Sequence, residues 1–336
     1  MKKTAALLTI AILAGVILFV AGANKRKATP FVSADFAMGS VLSASIYGKN
    51  DIAPLIFEGI KKAEAENLSE KLSSSDIYKI NHSENFSAEV SPYTSGMIKK
   101  CVEISSRCGG YFDITVGGLV NLWGFGGTPS VPSQEDIDDA LLAIGYDKIF
   151  IENNYISKSP GQLLDMGAVG KGAACDIAYD IIKNDASVRG AAVSVGGSVL
   201  VCGRGGKSGW TVGVRDPDKT QNDYMGILTL EEGFISTSGN YEKVFEEGGI
   251  KHHHILNPFT GYPSESGLKS VTVIAPTGFL SDALSTACFI IGYEKSVGLL
   301  EIYGADGIFI TEGNEVLLTE NVDKSFKITD GNYMYG

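Results

Sequence analysis

The spacing of hydrophobic residues changes part-way along the chain. After a strand-like run from Leu42 to Tyr47, apolar residues recur at helical spacing. Serine caps mark two of the helix starts, at Ser91-Pro92 and in the capping-box pattern that begins at Ser133. A paired asparagine turn, Asn153-Asn154, favours a hairpin. The first half is therefore predicted to be helix-rich, with helices over about Ile52 to Leu72, Ser91-Pro92 to Cys108-Gly109-Gly110, and Ser133 to near Gly145.

The second half shows the alternation that is typical of strands. After the last predicted strand come a helix from about Ser281 to Tyr303 and a hairpin at Gly313-Asn314. Segregated helices and strands favour an α+β fold, with β-sheets flanked by helices, over a regular βαβ array. The predicted strands are Ala191 to Val201, Trp210 to Val214, Gly226 to Thr237, His252 to Leu256, and Leu268 to Ile274.

The amino terminus carries an apolar signal or anchor segment. Two lysines precede a stretch from about Ala5 to Ala23, which ends in small residues that resemble a cleavage site. The stretch is also long enough to span a bilayer, and the basic cluster Lys25-Arg26-Lys27 follows it. Both possibilities stay open: residues 1–28 are a cleaved signal peptide or a membrane anchor, and residues 29–336 are the functional domain. Either one predicts that this domain is exported, to the outer face of the membrane, the periplasm or the medium.

Composition and charge narrow the class of protein. The chain has 336 residues, of which 44% are hydrophobic and 20% are charged. This composition is typical of an ordered globular protein. A net charge of -11 leaves no basic stripe for DNA or RNA. The five cysteines are odd in number and form no CxxC pair, so we expect buried core residues. The first of them, Cys101, lies far from the apolar segment, which excludes a lipoprotein anchor.

A glycine-rich segment from Leu164 to Asp176 is the first candidate for chemistry. Its glycines permit close backbone approach, Lys171 supplies a charge, and the helix that follows presents free amides to a phosphate. The spacing matches neither a P-loop nor a Rossmann fingerprint. An ordinary turn before a helix is the alternative interpretation.

Asp282 and Thr286 are the second candidate. They stand four residues apart on one face of the predicted helix, and both offer the hard oxygen ligands that Mg²⁺ prefers. The alternative is an exposed aspartate that stabilises the helix dipole, with Thr286 in the core.

The run His252-His253-His254 is the third candidate. Successive strand residues face opposite sides, so the run does not form a ready zinc site. Its position before an Asn-Pro-x-Thr-Gly turn suggests that at least one histidine lines a cleft. A general base is one interpretation of that histidine, and a residue that buttresses the turn is the alternative.

Read together and in order, eight segments resemble the ApbE family of FAD:protein FMN transferases. The resemblance runs from about Phe36 to near the carboxyl end. The eight are Met38-Gly39-Ser40, Gly110 to Gly117 with Leu122 to Phe125, Asp165 to Gly172, Val195 to Gly197, Trp210 to Val214, Ser236 to Tyr241, His254 to Gly261, and Asp282 to Ala287.

The resemblance implies a monomer-like fold with FAD in a cleft and its pyrophosphate on Mg²⁺. By position, Asp282, Thr286 and the main-chain carbonyl of Gly170 would be the metal ligands, and His254 the catalytic base. Two departures from the family pattern stand beside them, Asn257 and Ser198, where aspartate is usual. The residues that would contact FAD are Met38, Tyr111, Asp113, Lys171, Asp176 and Ser238.

The implied reaction moves FMN from FAD to a Thr or Ser hydroxyl of another protein and releases AMP. If water replaces the hydroxyl, the same site is an FAD pyrophosphatase, and a non-catalytic FAD-storing protein is a further alternative. The resemblance implies as acceptors the FMN-carrying subunits of extracytoplasmic electron-transfer complexes, of the NADH:quinone reductase or Rnf type.

Overall fold

A computed structural model describes residues 29–204, 209–220 and 222–336. The predicted signal or anchor, residues 1–28, lies outside them. Within the described ranges, no helix combines the length and the apolar character that a bilayer span requires.

The helices begin and end close to the predicted caps. Ser91 and Ser133 each accept a hydrogen bond from a backbone N–H in the first turn of the helix that they precede, as predicted. A π turn (Glu64–Leu68) extends the first helix, and a 3₁₀ turn (Tyr146–Lys148) follows the fifth. The helices are α1 (Ala53–Ala63), α2 (Asp76–Asn81), α3 (Pro92–Arg107), α4 (Gly117–Trp123), α5 (Gln134–Ala143), α6 (Gly170–Lys183), α7 (Gly278–Ile291) and α8 (Tyr293–Ile302).

The described strands form one large and three small sheets. The strands are β1 (Phe31–Ala37), β2 (Ser40–Tyr47), β3 (Ser87–Glu89), β4 (Phe150–Glu152), β5 (Tyr155–Ser157), β6 (Gly190–Val195), β7 (Ser198–Gly203), β8 (Trp210–Arg215), β9 (Tyr224–Leu230), β10 (Gly233–Gly239), β11 (Phe245–Glu247), β12 (Ile250–His252), β13 (Leu268–Ala275), β14 (Asp306–Thr311), β15 (Glu315–Leu318), β16 (Phe326–Ile328) and β17 (Met334–Tyr335). The nine-stranded sheet has the order β1-β2-β6-β7-β10-β13-β14-β15-β17, and all its neighbours are antiparallel except β15 and β17. The small sheets are β16-β9-β8, β3-β5-β4 and β11-β12.

The large sheet is the middle of three layers. On β6, Ala191, Val193 and Val195 face a core formed with α1 and α6. Ala192 faces the opposite way, into a core shared with Trp210 and the rest of the β16-β9-β8 sheet. Both faces of β6 are therefore covered, which explains why all its residues are buried. The fold is the predicted mixture of sheets flanked by helices.

Several predicted boundaries were wrong, each for a local reason. The strand predicted over Ala191 to Val201 is two strands, because Gly196 takes the left-handed conformation, φ +56°, in a two-residue turn. The strand predicted over Gly226 to Thr237 switches sheets between β9 and β10. The last predicted helix breaks at Gly292, φ +81°, into α7 and α8. The strand predicted to run from His252 to Leu256 ends at His252.

Other turn predictions are confirmed. Asn153 and Asn314 each adopt a positive φ, +55° and +63°, in the β4–β5 and β14–β15 hairpins. All five cysteines are buried and free, as expected of core residues. Burial raises the pKa of every one of these thiols, so they are unreactive.

Candidate functional site

The amino-terminal ends of α6 and α7 meet in a close backbone contact, here named the helix junction and formed by Gly172, Asp176, Gly278 and Asp282. A Cβ atom on Gly172 would lie 1.9 Å from the carbonyl oxygen of Gly278, so no side chain fits at that position. Each helix caps the other. The Asp282 carboxylate accepts a hydrogen bond from Gly172 N–H at 2.8 Å, and Asp176 accepts from the N–H groups of Gly278 and Phe279 at 2.6 and 2.9 Å.

Asp282 is not the exposed aspartate of the alternative interpretation. Its side chain is 5% exposed, and burial raises the pKa of its carboxyl, against the opposing effects of Lys171 and the Gly172 N–H. Thr286, one turn later, is half-buried and faces a hydroxyl rather than an apolar core, with its Oγ1 3.2 Å from Ser238 Oγ on β10. The two oxygen-bearing side chains thus share the face of α7 that meets the sheet.

The kinds of donor atom in the predicted ligand set fit Mg²⁺. A buried carboxylate, a threonine hydroxyl and the main-chain carbonyl of Gly170 are hard oxygen donors, and few protein ligands are usual for this ion. Gly170 is the first residue of α6 and is buried; a Cβ there would meet Met38 Cε at 3.7 Å, an ordinary contact. In the described ranges, no three or more His, Cys, Asp or Glu side chains are grouped so that they could hold a metal ion by themselves. The predicted set, with one carboxylate, does not depend on such a group.

Two hairpin turns approach the start of α6. Met38 (φ +54°) and Gly39 (φ +65°) form the β1–β2 turn, an unusual conformation for methionine. At the β6–β7 turn, a Cβ on Gly196 would lie 2.6 Å from Ser40 Oγ and 3.3 Å from Lys171 Cδ. The Lys171 side chain therefore passes both turns at the start of α6, where its charge suits an anion. The amides predicted to be free for a phosphate are already engaged, since the N–H groups of Gly170 and Ala173 donate to main-chain carbonyls and that of Gly172 donates to Asp282.

His254 lies in the loop between β12 and β13, with its ring fixed by the main chain. Its Nδ1 is 2.9 Å from the carbonyl oxygen of Glu242. Since a carbonyl only accepts, Nδ1 carries the proton and Nε2 keeps a free lone pair. Desolvation, and then Lys243 and Lys171, lower the pKa of His254 to about 3. The ring is neutral at neutral pH, which is the state of a general base.

The two preceding histidines have different surroundings. His252 packs among aromatic rings, 5.4 Å from Trp123 and 5.2 Å from Phe245 between ring centroids. The Nε2 atom of His253 lies 3.1 Å from the carbonyl oxygen of Ser264, and its ring packs edge-on against Phe289. Both are engaged in packing on other elements, whereas His254 faces two lysines.

The residues predicted to contact FAD fall into two groups. Met38, Lys171 and Ser238 lie with the metal-ligand candidates, as described above. Asp176 also lies there, but both of its oxygens cap α7. Tyr111 and Asp113 form a separate group after α3.

In that second group, the Asp113 carboxylate accepts three hydrogen bonds, from Thr115 N–H, Thr115 Oγ1 and Tyr146 N–H, and so holds the local backbone. Tyr111 packs edge-on against Phe259 at 4.9 Å, with Lys295 Nζ 5.3 Å from its ring centroid.

Three contributors to the site were missed from the sequence. The first is Lys243 (φ +45°), whose charge lowers the pKa of His254. The second is the Glu242 carbonyl, which orients the His254 ring. Ser236 links Ser198 (2.9 Å) to Ser281 (2.8 Å) through buried hydroxyls next to Asp282. For Ser236 the sequence did offer a signal, because Ser236 and Ser238 are two residues apart and so lie on one face of a strand. A contact with a main-chain carbonyl leaves no signal in the sequence.

Comparison with known proteins decides the family. The family model described as "ApbE family" matches residues 38–309. The chain belongs to the ApbE family. An ApbE relative, the FAD:protein FMN transferase of Klebsiella pneumoniae (strain 342), is 30% identical over 304 residues, which cover 88% of this chain and 94% of the relative. The FAD:protein FMN transferase of Escherichia coli (strain K12) is 32% identical over 282 residues, 80% of each chain.

Solved ApbE structures share the fold. The ApbE protein of Thermotoga maritima superposes with a TM-score of 0.78 at 33% identity and covers 87% of this chain and 97% of its own. The apo form of the flavinyl transferase ApbE of Pseudomonas stutzeri gives a TM-score of 0.75 at 27% identity, with 90% and 98% covered. The ApbE fold predicted from the eight segments is confirmed.

Proposed function

We propose that this chain transfers FMN from FAD to a Thr or Ser hydroxyl of a target protein, in a reaction that depends on Mg²⁺. Family membership supports flavin transfer. The observation that carries the proposal is the combination of Lys171 at the start of α6, the oxygen pair Asp282 and Thr286, and a neutral His254 whose Nε2 lone pair is available.

FAD binding uses the anion-binding features of the site. The charges of Lys171 and Lys243 attract the pyrophosphate in a protein whose net charge is -11. Asp282, Thr286 and the Gly170 carbonyl would hold Mg²⁺. When bound there, the ion would supply neutralisation of the charge on the pyrophosphate and the departing AMP.

His254 accounts for the proton. Its Nε2 accepts the proton of the acceptor hydroxyl while that oxygen forms a bond to the FMN phosphorus. The bond between this phosphorus and the bridging oxygen of AMP breaks, and AMP leaves with the electron pair. The products are a phosphoester-linked flavoprotein and AMP. The Glu242 carbonyl stabilises the ring in the required tautomer throughout.

An assay with three readouts tests the reaction. Residues 29–336 are mixed with FAD, Mg²⁺ and a candidate acceptor, and flavin is followed by fluorescence on denaturing gels, by mass spectrometry and by chromatography. Transfer predicts one FMN added to the acceptor. Free FMN plus AMP without labelled acceptor would instead indicate a pyrophosphatase, and unchanged FAD a storage protein.

The acceptor class is part of the proposal. FMN-carrying subunits of extracytoplasmic electron-transfer complexes, of the NADH:quinone reductase or Rnf type, are the proposed partners. Co-expression with such a subunit should add the mass of one FMN to a single Thr or Ser peptide, and Thr→Ala at that position should abolish it. Labelling that persists in the alanine variant would overturn the side-chain assignment.

The proposed location is the outer side of the cell membrane, either anchored or released. The support is the apolar segment from about Ala5 to Ala23. Protease added to cells stripped of their wall or outer envelope should digest residues 29–336. Full protection until lysis would overturn export.

A further inference from the structure

The carbonyl that orients His254 belongs to a short segment, Gly239 to Lys243, that follows β10. Its backbone is constrained at both ends. Asn240 N–H donates to the Lys269 carbonyl at 3.0 Å, and Lys243 is held at φ +45°, a conformation that lysine rarely adopts. Such a conformation persists only where the surroundings determine it.

Tyr241 is the side chain that anchors this segment. Its ring lies against the backbone of Gly239, where a Cβ atom would be 2.5 Å from the ring. On β8, the Arg215 guanidinium carbon is 4.3 Å from the ring centroid, a stacking cation–π contact. The ring therefore fills a slot formed by a glycine of the large sheet and an arginine of the neighbouring small sheet.

Glu242, the residue after Tyr241, connects this segment to His254. The Glu242 carbonyl follows the anchored Tyr241 directly, and it lies 2.9 Å from His254 Nδ1. Displacement of the ring moves this carbonyl, and His254 then loses the acceptor that selects its tautomer. With the proton on Nε2 instead of Nδ1, the ring cannot accept a proton at Nε2.

We propose that Tyr241, clamped by Arg215 and Gly239, is a positioning residue that fixes the tautomer of His254 through the Glu242 carbonyl. This inference rests on the proposed role of His254 as the base. It does not require Tyr241 to touch FAD or the acceptor.

A double-mutant cycle tests the proposal, with the single-turnover transfer rate at saturating FAD as the measurement. Tyr241→Leu should lower the rate between about 10- and 100-fold, with FAD affinity changed by less than about 3-fold, because a small misplacement of a reacting group is costly. Tyr241→Phe, which keeps the ring, should recover most of the rate. In a His254→Ala background, Tyr241→Leu should cause no further loss.

Nitrogen-15 NMR gives a readout that is independent of turnover. The chain has four histidines, so the long-range couplings of ¹⁵N-labelled His254 are assignable by substitution. The wild type should show the Nδ1–H tautomer, and Tyr241→Leu should show the other tautomer or a mixture. Tyr47→Leu, which removes a half-buried tyrosine from its contact with Trp210, is the control for general loosening and should leave His254 unchanged.

Three outcomes would overturn the proposed role of Tyr241. The first is that Tyr241→Leu lowers the transfer rate equally in the wild type and in the His254→Ala variant. The others are a wild-type rate for Tyr241→Leu and an unchanged His254 tautomer in that variant. If Tyr241→Leu fails to fold, Arg215→Met removes one side of the clamp and leaves the ring in place. A wild-type protein that labels no acceptor, or a His254→Ala variant with the normal rate, is a failure of the proposed function instead. The NMR comparison still decides the clamp in that case.

Discussion

At the helix junction, the candidate metal-binding oxygens stand on two helices whose backbones touch, whereas His254, the candidate base, stands in a loop and its Nδ1 contacts one carbonyl. A Cβ on Gly172 would lie 1.9 Å from Gly278 O, so the position of Asp282 is determined by steric contact within the core. The His254 ring is oriented by a hydrogen bond of 2.9 Å to a loop carbonyl and by an edge-on contact with Phe125. The helix junction holds the Asp282 carboxylate in a rigid position. The loop holds the His254 ring, whose tautomer depends on a main-chain contact. Perturbations of the two regions should therefore have different consequences.

The largest effect is expected for Asp282→Asn. This change keeps the shape of the side chain and an oxygen that can accept from Gly172 N–H, but it removes the charge. Transfer should fall by about 10³-fold or more, because stabilisation of the pyrophosphate charge is lost. Mg²⁺ should raise the melting temperature of the wild type, and this rise should disappear in the variant. Asn is chosen rather than Ala because this carboxylate is buried and caps α6, so its complete removal would also destabilise the fold.

Asp176→Asn is the matched control at the same junction. Its carboxylate caps α7 and, in our assignment, holds no metal. This variant should lose about 1 kcal/mol of unfolding free energy and keep the melting shift with Mg²⁺. If Asp282→Asn retains the shift and Asp176→Asn loses it, the metal assignment is reversed.

A smaller loss, between about 10²- and 10⁴-fold in single-turnover rate, is expected for His254→Ala, with FAD affinity little changed. A base contributes mainly in the transition state. His252→Ala should affect stability more than rate, because its ring packs against Trp123 and Phe245. Weaker FAD binding together with a normal rate at saturation would mean that His254 binds the flavin rather than taking a proton.

Two glycines of α6 test the helix junction through their effects on unfolding free energy, without an activity assay. Gly172→Ala should lower the unfolding free energy by about 1–3 kcal/mol, since its Cβ meets backbone. Gly170→Ala should be neutral or stabilising by up to about 1 kcal/mol, because its Cβ has an ordinary contact with Met38 at 3.7 Å. Urea unfolding measures both. Equal effects would show that the two helices do not touch as described.

The smallest effect concerns pH. Desolvation, Lys243 and Lys171 lower the pKa of His254 to about 3, from an ordinary value of 6.5. The unfolded chain takes up this proton near pH 6.5 and the folded chain does not, so His254 reduces stability progressively as the pH falls from about 6.5 towards 3. NMR should find the ring neutral at pH 5, and His254→Ala should lose less stability than the wild type between pH 7 and 5. Titration of His254 near pH 6.5 would contradict the described surroundings.

The sequence predicted the helix junction better than the histidine loop, for physical reasons. The spacing of Asp282 and Thr286 is a local helical repeat, and the glycines near Lys171 reveal close backbone approach. That Asp176 caps α7 from 102 residues away, however, depends on tertiary packing. Ser91 and Asn314 identified a cap and a turn because their side chains act on their own neighbours.

The partners of His254 were not predictable in the same way. Every residue has a carbonyl, so nothing in the sequence marks the one at Glu242. Lys243 gave no signal either, because its left-handed conformation is imposed by neighbours rather than by its own preference. Gly196 was placed within a continuous strand because the turn it forms is only two residues long and apolar residues flank it on both sides.

The order of strands in the large sheet has a consequence for how the chain is made. From β1 to β17 the spatial order follows the chain order, so each newly emerged strand is added to the edge left by the one before it. A chain that emerges amino end first therefore extends one sheet continuously, and no earlier pair has to open. The helix junction is completed only when α7 emerges, after β13 has been added, so the active arrangement forms late in synthesis or translocation. A chain released from the ribosome at residue 277 lacks α7, β14, β15 and β17 and should therefore have no FAD affinity.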